Sequence, residues 1–146
     1  WDSVNFQTFA EALLRVKERK RSPFKHLRVS ESGDFRHNGD IIKWDKIAKI
    51  VGDKINVYTY SASHKLDWSE NEHMVVNQSN NLADYGDRQF AAVETNKDIP
   101  DDAIFCPFEA ASQNGVSGDD RPKCGECEAC IRPESEQKRD VFITVH

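Results

Sequence analysis

Residues 41–60 read IIKWDKIAKIVGDKINVYTY, and the fold turns on them. Ile41, Ile42, Trp44, Ile47, Ala48, Ile50 and Val51 recur at helical spacing and stop at Gly52, a natural residue for a helix end. Residues 55–60 then bring β-branched and aromatic side chains together, which is strand chemistry. A helix that runs within a few residues into a strand is half of a βα repeat, and the same alternation continues on both sides. Upstream, Phe6, Phe9, Ala10, Leu13, Leu14 and Val16 predict a helix over 3–20, and residues 26–30 predict a strand that empties into the turn chemistry of 31–35. Downstream, the short apolar runs 73–77, 90–94, 103–106 and 141–145 predict further strands. Strands separated by helices or loops imply an α/β domain with a mainly parallel sheet.

The chain has 146 residues, of which 38% are apolar and 31% charged, and a formal net charge of -5. Its mean hydropathy is -0.72. That length suits one domain, read as an α/β scaffold over 1–100 joined to a cysteine-rich segment and final strand over 101–146. No run of about 18 apolar residues occurs, and residues 1–5 lack the basic and apolar regions of a signal peptide, so the expected location is cytoplasmic, with no membrane contact. The acidic balance argues against general affinity for nucleic acid. A basic run, Arg15, Lys17, Arg19, Lys20, Arg21 and Lys25, is where phosphate would be met, yet the same charges complement the dipole at a helix C-terminus. The first residue is Trp1, not Met, and the expectation is a piece of a longer protein.

Polar residues collect where the predicted strands end. Parallel sheets place ligands at the C-terminal ends of their strands. This makes Ser32, Gly33, Asp34, Asn77 and Glu94 candidates for binding a cofactor or small-molecule ligand, and predicts that Ser32, Asp34, Tyr60, Asn77 and Glu94 share one pocket. Turns favour the same amino acids, so a purely structural role is the competing reading. Asp34 and Glu94 are the carboxylates best placed for acid or ligand work. His26, His37, His64, His73 and His146 show no paired spacing of a metalloprotease kind, and no phosphate loop or nucleophile elbow is present.

From 101 to 140 the texture changes to Pro, Gly, Ser, Asp and Glu, with too few apolar side chains to hold a shape by burial. All four cysteines lie there: Cys106, followed by Pro107, and then Cys124-Gly-Glu-Cys127-Glu-Ala-Cys130. Four thiols suit a metal centre. Zinc is commonly held by two separate Cys-x2-Cys knuckles, whereas three cysteines in one series can each reach a different iron of a cubane. The spacing therefore favours a 4Fe-4S cluster, with zinc as the alternative and disulfides or free thiols behind both, since a reducing interior disfavours disulfides. Cys127, in the middle of the series, is expected to be the most sensitive ligand.

Read together, residues 28–35 (Arg-Val-Ser-Glu-Ser-Gly-Asp-Phe), the strand ending Tyr58-Thr59-Tyr60-Ser61 and the late cysteines resemble an uncharacterised bacteriophage protein family. That family is similar in layout to radical S-adenosylmethionine (SAM) enzymes and has an incomplete β/α barrel. The resemblance implies a partial (β/α) barrel-like fold, a phage-encoded protein of the host cytoplasm, and a place for Ser32-Gly33-Asp34 in the loop that holds the methionine amine. Its role would be electron transfer, with a redox partner, or an auxiliary step in radical SAM-like chemistry. The chain departs from those enzymes in having no Cys-x3-Cys-x2-Cys loop, since no cysteine precedes Cys106. The alternative function is a zinc-stapled, non-enzymatic module that binds protein or nucleic acid.

Overall fold

A computed structural model describes residues 1–19, 24–30, 34–79, 84–132 and 139–145. In chain order these form α1 (Phe6–Glu18), β1 (His26–Val29), α2 (Asn38–Val51), β2 (Asn56–Ser61), β3 (Val75–Ser79), β4 (Arg88–Val93), β5 (Ile104–Phe105), α3 (Pro107–Gln113), α4 (Cys124–Cys127) and β6 (Val141–Thr144). The strands make one six-stranded sheet in the order β1-β2-β3-β4-β6-β5. Every neighbouring pair is parallel. The sheet is open, with β1 and β5 as its edges, so the expected α/β parallel architecture is present without closure into a barrel. Strands β5 and β6, from the cysteine-rich segment of the chain, extend the same sheet through the β4–β6 pairing.

Side chains alternate across a strand, and that alternation divides the sheet into two working faces. Val29, Val57 and Val76 turn toward α1 and α2, where Ala10, Ile41, Ile47, Ala48 and Val51 complete the core. Their neighbours of opposite parity, Arg28, Tyr58, Tyr60, Val75 and Asn77, therefore face the other way. Register places Tyr60 beside Asn77, and Asn77 beside Arg88, in one row across β2, β3 and β4.

Local chemistry sets the helix ends. The Asn5 side chain accepts from the Thr8 N–H at 3.1 Å, which starts α1 later than the apolar periodicity predicts. At the head of α2, Arg36 grips the buried Asp40 carboxylate through Nε and Nη2, each at 3.1 Å, and reaches Asp2 at 2.8 Å. Burial works against ionisation of Asp40, but the hydrogen bonds and charge of Arg36 outweigh it and hold the carboxyl below its usual range. A folded-state pKa below the unfolded one gives stability that is present above about pH 4 and lost as pH falls through the lower value. Asp40→Asn is therefore expected to cost about 1–2 kcal/mol at neutral pH, held to that size because Arg36 is half exposed. It should also flatten the acid limb of a pH-stability profile, as read by urea unfolding.

The described part of the link from β3 to β4, residues 84–87, is not helical. Parallel strands ordinarily need a crossover of a dozen or more residues. Here Tyr85 and Gly86 N–H groups donate to Gln78 Oε1 at 2.9 and 2.7 Å, while Asp87 exchanges bonds with both backbone groups of Val76. The returning chain thus lies directly along β3. A Cβ on Gly86 would stand 2.7 Å from the Val76 carbonyl oxygen. Gly86→Ala is expected to destabilise the protein by about 1–3 kcal/mol through overpacking, visible as a lowered Tm in thermal unfolding.

Candidate metal centre

The four cysteines arrive from two directions. Cys106 leaves the end of β5, where its N–H donates to the Phe142 carbonyl at 2.8 Å, and Pro107 then opens α3. The other three come from a tight loop over the sheet face that carries Tyr58 and Tyr60. One helical turn, α4, is closed by N–H bonds from Cys127 to the Lys123 carbonyl and from Glu128 to the Cys124 carbonyl. Glu128 then adopts a left-handed conformation, φ 56°, which ends the turn and redirects the chain toward Cys130. Ala129 and Ile131, both buried, anchor the loop on either side of that thiol.

Two polar side chains from the sheet fix the loop from below. Asn77 is fully buried, and its Nδ2 donates to the Thr59 carbonyl at 3.0 Å and to the Cys130 carbonyl at 2.8 Å. Arg88 donates from Nη1 to Asn77 Oδ1 at 3.3 Å and from Nη2 to the Arg132 carbonyl. The result is one pocket that all four cysteines line together with Tyr58 and Tyr60. None of the four is in a disulfide.

The thiols sense one another. Burial pushes Cys130 up to about 11; the Tyr60 hydroxyl opposes this by hydrogen bonding, and the charges of Cys106 and Cys124 add to it. Burial also raises Cys124, helped by Cys106 and Cys127. Cations pull the other way, Arg88 on Cys130 and Arg28 on Cys124. Arg28 is itself stacked 4.7 Å from the Tyr60 ring centroid. A metal ion would reverse the balance by stabilising the thiolate form that burial and the neighbouring sulfurs disfavour.

The donor set fits a soft metal centre: four sulfurs, no competing carboxylate in the pocket lining, and an aromatic wall. Tetrahedral zinc with Zn–S of about 2.3 Å draws its sulfurs to about 4 Å of one another, while a cubane spreads them over separate irons. Among the described residues, the group whose three ligand atoms fall within 4.8 Å of one another is Asp2, His37 and Asp40, not the cysteines. In that group the Arg36 guanidinium already bridges the two carboxylates.

The other candidates separate. Asn77 joins the cysteine face as a tether for the loop. Asp34 is spent on its own turn and on β2, accepting from the Phe35 N–H, the Ser61 hydroxyl at 2.7 Å and the Ala62 N–H at 2.7 Å. Ser61 has the parity of the helix-facing side, opposite to Tyr60 and Asn77. Glu94 is exposed beyond the end of β4. Ser32 and Gly33 lie outside the described residues. The predicted shared pocket is therefore not formed by Asp34 with Tyr60 and Asn77. Arg88 and Arg28 escaped the sequence reading, and a cation at the head of an apolar strand was the signal for the first. No protein-family model matches the chain, and neither a curated protein nor a solved structure matches it. Among the described residues, no helix is long and apolar enough to cross a membrane.

Proposed function

We propose that the chain is an iron-sulfur protein that carries electrons, with a 4Fe-4S cluster held by Cys106, Cys124, Cys127 and Cys130. The observation that supports this reading best is the convergence of all four thiols, from a strand end and from a separate loop, on one pocket. Such a cluster, when bound, supplies a one-electron couple. The protein's own residues supply the rest: Ile131 and the two tyrosines limit water, and Arg28 and Arg88 offset the negative charge of the thiolates.

Four cysteine ligands leave no iron open, so electron transfer to a redox partner, or an auxiliary role beside a radical SAM-like enzyme, suits the site better than SAM cleavage by this chain. On the resemblance to a phage family, that work would be done in the cytoplasm of an infected host. Reconstituted protein should bleach on reduction, recover on oxidation and show a reduced-cluster paramagnetic signal, while SAM with reductant yields no 5'-deoxyadenosine. Stable binding of one zinc, with no redox-active signal after anaerobic reconstitution, would replace this reading with that of a zinc-stapled module.

A further inference from the structure

Asp45 is a carboxylate in the middle of α2, only 8% exposed, and it has no part in the four-cysteine centre. It reaches across to the turn that precedes β3. Its Oδ1 accepts the Glu72 and His73 N–H groups at 2.9 and 2.7 Å, and its Oδ2 lies 3.2 Å from Nδ1 of the His73 ring. A carboxylate already taking two backbone N–H groups is an acceptor, so Nδ1 carries the hydrogen and Nε2, on the far edge of the ring, keeps its lone pair. The His73 side chain is 31% exposed and lines a cleft of about 280 Å³ at the N-terminal ends of β2 and β3.

We propose that this cleft binds a small organic cation, with an ammonium N–H donating to His73 Nε2. Size comes first: a cavity of about 150 Å³ accepts a benzene ring, so this one takes a single ring with a short charged arm. Its walls suit both halves of such a molecule. Val75 and the buried Ile131 offer apolar surface. The acceptors are Nε2, with the Asp45 carboxylate behind it, the Asn56 side chain, and the end of α2 at Gly52. A helix C-terminus carries partial negative charge and favours a cation. Among the described residues that line the cleft there is no lysine or arginine, and Lys54, two residues beyond Gly52, is paired with Glu18 at 3.5 Å. A carboxylate or phosphate ligand would therefore meet acceptors and no cation. The cleft shares Ile131 with the cysteine pocket but none of its thiols, so loss of the metal centre would leave this site standing.

The test is an NMR titration of the whole chain with benzylamine at about pH 8, where an ordinary histidine is neutral, set beside titrations with benzyl alcohol and phenylacetate. Benzylamine is expected to bind about tenfold more tightly than the alcohol and to shift the resonances of His73, Val75 and Ile131, while phenylacetate does not bind. His73→Leu keeps apolar bulk but removes the acceptor, and should cost about 10–100-fold in benzylamine affinity. Asp45→Asn removes the charge behind the ring and should cost about tenfold. A staple that merely joins α2 to the turn before β3 would change thermal unfolding in both variants and leave the wild-type protein indifferent to all three compounds, which would overturn the inference. So would benzylamine that binds no better than phenylacetate, that shifts resonances only elsewhere, or that binds His73→Leu as well as the wild type. If neither variant folds, the wild-type series decides by the order of affinities and by where the shifts fall.

Discussion

Protein purified without oxygen is expected to be brown and to contain about four irons per chain, with sulfide in matching amount. The expectation begins with the sequence, where three cysteines at two-residue intervals exceed what one zinc knuckle uses. It gains from the fold, which brings the distant Cys106 to the same pocket through β5 and its pairing with β6. It gains again from charge, because Arg28 and Arg88 both act on sulfurs of the set. Iron and sulfide analysis beside a visible absorption spectrum measures it. Colourless protein with one tightly held zinc and no uptake of iron sinks the cluster and keeps the four-cysteine site. Metal-free protein whose cysteines are paired sinks both.

The parallel sheet was legible because its periodicities are unmixed. The run from 41 to 60 carries a helical period up to Gly52 and a strand immediately after, and the structure places α2 and β2 there. Edges were less legible. The expected strand at 90–94 begins at Arg88, since a charged first residue hides a strand start unless its burial is known. Asn77 was read as the lip of a polar loop, but β3 continues to Ser79, which makes Asn77 an interior residue of the sheet with its amide turned to the cysteine loop. Strand-end composition also overstated how many residues share a pocket. Parity decides which face a residue joins, and parity depends on where a strand starts. A one-residue error there sends every side chain to the other side. The cysteines suffer none of this ambiguity, because a short loop and a strand end can converge on one point whatever the face of their neighbours.

The largest loss of metal from a single substitution is expected at Cys130, where position in the series had pointed to Cys127. Cys130 is held from both sides: its carbonyl is bonded by the buried Asn77 amide, and its neighbours Ala129 and Ile131 are 9% and 2% exposed. Cys124, by contrast, is exposed at the start of α4. A sulfur whose backbone is already fixed contributes binding with little further ordering cost, whereas an exposed ligand can be replaced by water or an added thiol. Cys130→Ser should therefore weaken metal retention by more than the roughly 10–100-fold that losing a supporting residue costs, and Cys124→Ser by less than Cys130→Ser. On the metal-centre reading, the polar segment from 101 to 140 is expected to owe part of its order to the metal. Limited proteolysis should cut it rapidly in stripped wild-type protein and in the Cys130 variant, and slowly in the Cys124 variant reconstituted with metal. Equal retention in the two variants, or a segment equally resistant with and without metal, would show that the loop is ordered by the sheet alone and that the centre does not hold it.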